Sequence, residues 1–371
     1  MFKRFNKFII ILVLLAIFLY TFIGSKGQIL EKLDIPVAVG NDLIMEGKSN
    51  LLYSVPIALY IFEHKGDITS HVLTGKAHNI GETRESRNLK SNRKFLLGIE
   101  KVFLMNEDFA KLTLSPLIDI LLNNPLINDN ALVVVCKQSC EDILNYKVKG
   151  YPNSGDYIEG MLKHLGDYAF FSPQNTIMDL IERLDSEGRN TVLPYLELKK
   201  FGLEVTGLAL FKGDKMIGKI NVKDAKILNL LKFNNVKGML SIQNNANEYI
   251  NYYATSKKKV KCSKIGEKYK FTINLNLKGT IVNNELYKNF NKDPQVLKNF
   301  EKDIENSVEK IAYDFFKEYK HKYDTDILGL GKFAVAKYGR HKGIDWNEAV
   351  CNSDIEVHVK ASVDKQGRGD F

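Results

Sequence analysis

The sequence predicts an α+β protein: an N-terminal membrane helix, then an ectodomain of mixed α/β units, the last an antiparallel sheet covered by a long helix. Three observations point there. An apolar run occupies residues 8 to 23, clean two-residue alternation marks the last third of the chain, and a three-to-four-residue apolar period separates the alternating segments.

The apolar run follows MFKRFNK, which carries Lys3, Arg4 and Lys7, and from Phe8 to Ile23 only Tyr20 and Thr21 interrupt it. At ~1.5 Å per residue the run spans ~24 Å of a hydrocarbon core ~30 Å thick, short for a spanning helix and typical of a secretory signal. The exit favours retention. Signal peptidase requires small residues where Phe22 and Ile23 stand before Gly24 and Ser25. The expectation is an uncleaved signal-anchor over 1–25, with Phe8, Ile9, Ile10, Leu12, Leu14, Leu15, Ile17, Phe18, Leu19 and Ile23 in lipid and the three cations snorkelling to the headgroups. Cations ahead of the run favour a cytoplasmic N-terminus, which puts residues 26–371 on the far side.

No second apolar stretch reaches membrane length; ALVVVC (131–136) and SPLIDILL (115–122) are core-sized. The rest is long enough for two or three domains, and four cysteines in 371 residues do not make a disulfide scaffold. The net charge of +9 is spread among Glu and Asp, which favours an anionic membrane surface over nucleic acid. Lys257, Lys258, Lys259, Lys261 and Lys264 read as the solvated approach to a strand, with a lipid or polyanion contact as the alternative.

Along the chain, PIALYIFEHKGDITSHVLTG (56–75) reads as a hairpin turning at Gly66 and Asp67, and the polar stretch 75–94 as a loop or the approach to a helix. Strand 101–105, a helix over about 108–122, strand 131–136 and a helix after Ser139 alternate. Ser139 with Asp142, and Thr176 with Asp179, have capping-box spacing. Residues 203–220 form a second hairpin, turning at Gly213 and Asp214. In KYKFTINLNLKG, Tyr269, Phe271, Ile273, Leu275 and Leu277 share one face; DIEVHVKASV repeats this with Ile355, Val357, Val359, Ala361 and Val363. Both predict half-buried strands of one antiparallel sheet with a wet face. Between them Val296, Leu297, Phe300, Ile304, Val308, Ile311, Phe315 and Tyr319 predict a long helix, capped by Asp293 and opened by Pro294, and a shorter one follows over 325–338.

Catalytic constellations are not legible. GKS (47–49) lacks the earlier glycine of a phosphate loop, and Asp42 stands in that place. The histidines at 64, 71, 78, 164, 321, 341 and 358 show no zinc spacing, and no G-x-S-x-G elbow occurs. Cys136 and Cys140, a C-x3-C without a second pair, read as small buried hydrophobes, a disulfide or a metal pair being the alternatives; Trp346 reads as a core or seam filler.

Several stretches together resemble the Ger(x)C spore germination proteins, the C subunits of germinant receptors: IPVAVGND (35–42), NPLINDNALVVV (124–135), SEGRNTVLPYLEL (186–198), VTGLALFKGDKMIGKI (205–220), TDILGLGKFAVAKY (325–338) and W-x8-IEVHVKASVDKQGRG (346–369). The resemblance implies about three consecutive mixed α/β domains, no enzymatic site, metal or cofactor, and partnership with membrane lipid and with the A and B membrane subunits of a receptor in the spore inner membrane. It divides the ectodomain into a 26–200 region of two subdomains and a 201–371 α+β domain. Family members usually end their signal in a lipobox cysteine that receives diacylglycerol; here that position resembles Ser25, whose hydroxyl cannot replace the thiolate. The expected function is therefore a non-catalytic, membrane-tethered receptor subunit, with a tethered cell-wall enzyme or a lipid or small-molecule binding module as alternatives.

Overall fold

The computed structural model describes residues 2–22, 32–46, 50–62, 66–173, 175–290, 292–320 and 322–365, and for residues 2–8, 22, 46 and 365 the backbone alone. In chain order the elements are α1 (Phe2–Phe22), β1 (Leu33–Glu46), β2 (Asn50–Phe62), β3 (Ile68–Ala77), α2 (Glu82–Asn88), β4 (Lys94–Phe95), β5 (Val102–Asn106), α3 (Glu107–Leu112) and α4 (Ser115–Leu122). There follow β6 (Leu132–Cys136), α5 (Cys140–Asn145), α6 (Ser154–Leu165), α7 (Ile177–Asp185), β7 (Val192–Lys199), β8 (Gly202–Lys212), β9 (Lys215–Asn221) and α8 (Val222–Lys232). The chain closes with β10 (Lys237–Asn245), β11 (Glu248–Ile265), β12 (Lys268–Asn284), α9 (Pro294–Tyr319), α10 (Gly331–Tyr338), α11 (Trp346–Cys351) and β13 (Asp354–Lys365).

Two sheets organise these elements. The first has nine strands in the order β3-β2-β1-β5-β6-β7-β8-β9, with β4 beside β1. Strands β1, β5, β6 and β7 are parallel, and antiparallel strands flank them on both sides. The apolar runs VFLM and LVVV suit this centre, because helices cover both faces: α3, α4 and α7 over Phe103, Met105, Val133 and Val135, and α5 and α6 over Val102, Leu104, Leu132 and Val134. Hairpin β8–β9, turning on Gly213 at φ +58, follows residue 200 in sequence yet pairs into this sheet.

The predicted helix over 108–122 is two helices. Thr113 is extended and donates its hydroxyl to the Asp214 carboxylate, while Leu114 N–H donates to Asp214 O at 2.9 Å, so the β8–β9 turn pins the break. The helix predicted over 325–338 begins only at Gly331, because residues 325–330 form a turn that places Asp326 Oδ2 2.7 Å from the Gly331 N–H.

The second sheet runs β10-β11-β12-β13. Its inward faces are those the alternation indicates: Tyr269, Phe271, Ile273, Leu275, Leu277, Val357 and Val359 are buried. The expectation of an antiparallel sheet fails at one pair, since β12 and β13 are parallel. Alternation fixes which side chains face inward but not strand direction. The helical return over 285–353 is the long crossover that a parallel pair needs.

The return helix also closes the sheet edge. Along β13 the N–H groups of Val359, Ala361 and Val363 donate to Glu309, Glu305 and Glu301 of α9 at 2.8, 2.9 and 3.2 Å, and Val357 N–H donates to Tyr313 Oη at 3.5 Å. The match is geometric: four helical residues rise ~6.0 Å and two strand residues ~6.6 Å, so the rungs stay in step. An edge of this kind is otherwise open to pairing with another chain.

Distinct clusters lie under the first sheet, and a further one is shared with the second. Val192, Leu208, Leu210 and Ile220 of the first sheet and Phe271, Ile273 and Leu275 of the second belong to one apolar cluster. Helix α8 lies between them, with seven consecutive and near-consecutive residues from Ala225 to Lys232 buried on several sides. Trp346 is the seam filler the sequence suggested: 5% exposed, its ring 5.4 Å from Tyr269 and its Nε1–H donating to Glu187 Oε1 at 2.8 Å.

Candidate functional site

Of the residues proposed for the membrane, those from Phe8 to Leu19 fall on α1. Its side chains from Ile9 to Thr21 are exposed along the whole described length, Leu14 at 59% and Phe18 at 57%. Among the described residues no helix is long and apolar enough to cross a membrane. The Phe8 side chain, Ile23, Ser25 and the GKS segment at 47–49 lie outside the described residues, as do His64 and His321.

A cleft of about 710 Å³ opens on the first sheet. Val39, Ile57 and Phe103 of β1, β2 and β5 form its floor, Leu117 and Leu121 of α4 one wall, and α2 the other. Gly75 makes the α2 wall possible, because a Cβ there would stand 2.0 Å from the Thr83 carbonyl oxygen. The wall carries Arg87, whose side chain is drawn into the protein and only 7% exposed. Its Nη1 donates to Val55 O at 3.3 Å and Thr83 O at 3.4 Å, its guanidinium lies 5.6 Å from the Phe95 ring centre, and its buried Nε has no partner among the described residues. Burial, then the neighbouring Arg84, pulls Arg87 down to about 10. Arg84, Arg93 and Lys94 stand exposed at the rim. The single acid of the lining, Glu100, is 1% exposed and accepts from Gly98 N–H at 3.0 Å and Asn128 N–H at 3.4 Å; burial pushes its carboxyl up. Sequence reasoning missed this cleft, since Arg87 sits in ETRESRN, which reads as wholly solvated.

A second polar cluster ties the sheets together. Lys232 is 6% exposed and donates to Asn190 O at 3.0 Å and Ile327 O at 2.8 Å. Lys258 donates to Leu231 O and Lys232 O, carbonyls of the last turn of α8 that have no helical partner of their own. The lysine-rich segment is therefore inside β11 rather than ahead of a strand, and Lys258 shares the inward parity of Ala254, Ser256 and Cys262. Burial, then Lys332, pulls Lys258 down to about 6, while burial pulls Lys232 down to about 7, opposed by Asp326. Asp326 is buried, and burial pushes its carboxyl up.

The other sequence candidates are structural. Asp42 accepts from Cys140 N–H at 2.7 Å and Glu141 N–H at 3.2 Å, so it caps α5 from β1. Cys136 and Cys140 are buried and free, as are Cys262 and Cys351. His358 faces solvent, and among the described residues no three His, Cys, Asp or Glu side chains gather as metal ligands do.

Comparisons with known proteins agree along nearly the whole chain. Residues 26–198 match the spore germination protein N-terminal domain, and residues 206–367 match the spore germination B3/GerAC-like C-terminal domain. Spore germination protein GerQC of Bacillus cereus is 25% identical over 365 residues, covering 96% of this chain and 98% of that protein. A putative spore germination protein, YfkR of Bacillus subtilis (strain 168), is 23% identical over 313 residues, covering 79% and 76%. The crystal structure of the GerBC protein shares the fold at a TM-score of 0.57 and 13% identity, over 87% of this chain and 97% of that one. None of these descriptions names an enzyme activity. With two successive domain matches that leave little of the chain uncovered, the chain belongs to the Ger(x)C family of spore germination proteins.

Proposed function

We propose that this chain is the non-catalytic C subunit of a spore germinant receptor, tethered by α1 to the spore inner membrane with its body on the outer face, beside A and B membrane subunits. The observation that carries the reading is the pair of germination-domain matches, in order, across 26–198 and 206–367. The tether is supported by the exposed apolar side chains of α1. Burying a large apolar side chain contributes ~1.5–3 kcal/mol, so a helix of them outweighs a single acyl chain, and Ser25 needs no lipid.

The test removes residues 1–25. The shortened protein should leave the membrane fraction while staying folded, and spores relying on it should lose their nutrient response. Normal germination by those spores refutes the tether.

A further inference from the structure

The cleft on the first sheet has the shape and charge of a ligand site. Its volume of about 710 Å³ falls within the ~300–1,000 Å³ usual for small-molecule pockets. Its floor and one wall are apolar, which suits an apolar body. Its charge is one-sided: Arg84, Arg87, Arg93 and Lys94 line it against Glu100 alone, and none of the four cations makes an ion pair among the described residues. Glu100 is one carboxylate against four cations, and it is turned to the backbone N–H groups of Gly98 and Asn128, so the lining stays net positive.

Arg87 is the focal point. A guanidinium taken out of water is normally paired with an anion. Here it has two carbonyls and an aromatic face, its buried Nε has no partner among the described residues, and the side chain lines the cleft. Two carbonyls orient the fork and leave its charge uncompensated. With Nη1 on two carbonyls and Nε buried, Nη2 is the donor left for the cleft, and a carboxylate would accept from it and supply the missing charge.

We propose that this cleft binds a small organic acid, its carboxylate held at Arg87 with Arg84 and Arg93 at the rim, and its apolar body laid on Val39, Ile57 and Phe103 against Leu117 and Leu121. The apolar floor disfavours inorganic phosphate, and the charge disfavours a neutral apolar molecule. The assignment does not rest on the receptor reading.

The test uses the full chain in phosphatidylcholine nanodiscs, titrated by calorimetry with 4-phenylbutyrate, its neutral amide and inorganic phosphate. Phenylbutyrate should bind one to one and at least ~10-fold more tightly than the amide, since a hydrogen-bonded charge contributes ~1.5–3 kcal/mol; phosphate should give no binding. Leu121→Trp, which fills the apolar wall, should abolish binding with an unchanged circular dichroism spectrum. Should that variant fail to fold, Arg84→Ala with Arg93→Ala, both exposed, should weaken the acid several-fold and leave the amide unchanged. Equal affinity for acid and amide, binding that survives both sets of substitutions, or no binding of the acid overturns the proposal. Stabilisation by phosphatidylglycerol in the nanodisc with none by phenylbutyrate also overturns it, in favour of a lipid.

Discussion

Glu305 is the middle rung between α9 and β13, and Glu305→Ala tests what that ladder does. Its carboxylate accepts from Ala361 N–H at 2.9 Å, a charge-assisted bond to a half-buried amide. Such a bond is worth ~1.5–3 kcal/mol when its donor is left dry, and water can reach part of this edge, so the loss should be ~1–2 kcal/mol. Glu305→Gln keeps an acceptor oxygen and loses the charge, so roughly half that loss is expected. Amide hydrogen exchange reads the site directly: ~1–2 kcal/mol predicts exchange of Ala361 faster by roughly 5–30-fold, with a smaller change for Gln. Replacing Glu301, Glu305 and Glu309 together should also expose the strand edge and promote self-association, visible by light scattering. Unchanged protection in the Ala variant, or a Gln variant as weakened as Ala, refutes the ladder.

Two further outcomes are expected. Lys258 and Lys232 have folded-state values of about 6 and about 7, below their ordinary value of 10.5. Between those limits the unfolded chain binds more protons, so their part of the stability rises with pH, by up to ~1.4 kcal/mol per pH unit for each lysine. Urea unfolding from about pH 7 to about pH 9 should show the rise, and Lys258→Met should remove about half of it; an unchanged slope refutes the assignment. Gly75→Ala should destabilise by ~1–3 kcal/mol, because the added Cβ meets a backbone oxygen of α2 at 2.0 Å and cannot be accommodated by rotating a side chain. A neutral Gly75→Ala in thermal unfolding would show that α2 is not held against β3.

The sequence made the strands of the last third legible because their two-residue period is set by burial on one face, and the long helix legible because Asp293, Pro294 and its apolar stripe agree. What alternation could not carry was direction, hence the parallel β12–β13 pair. The ladder was hidden for a related reason: Glu301, Glu305, Glu309 and Tyr313 recur every four residues, which is also how a solvated helix face looks. Lys258 was masked by its neighbours, although Ile250, Tyr252, Ala254 and Ser256 set a parity that turns it inward. The cleft was the least legible feature. Arg87 and Glu100 are separated in sequence and acquire their environment only when α2 is laid on the sheet, an arrangement that depends on one glycine in β3.

Helix α8 has a mechanical consequence. With both sheets seated on it, and Asn190 bonded to Asp326 O and Asn347 across the seam, neither can swivel without prising open a close-packed interior. Turning one sheet against the other would have to break the Asn190 bonds and repack the shared cluster.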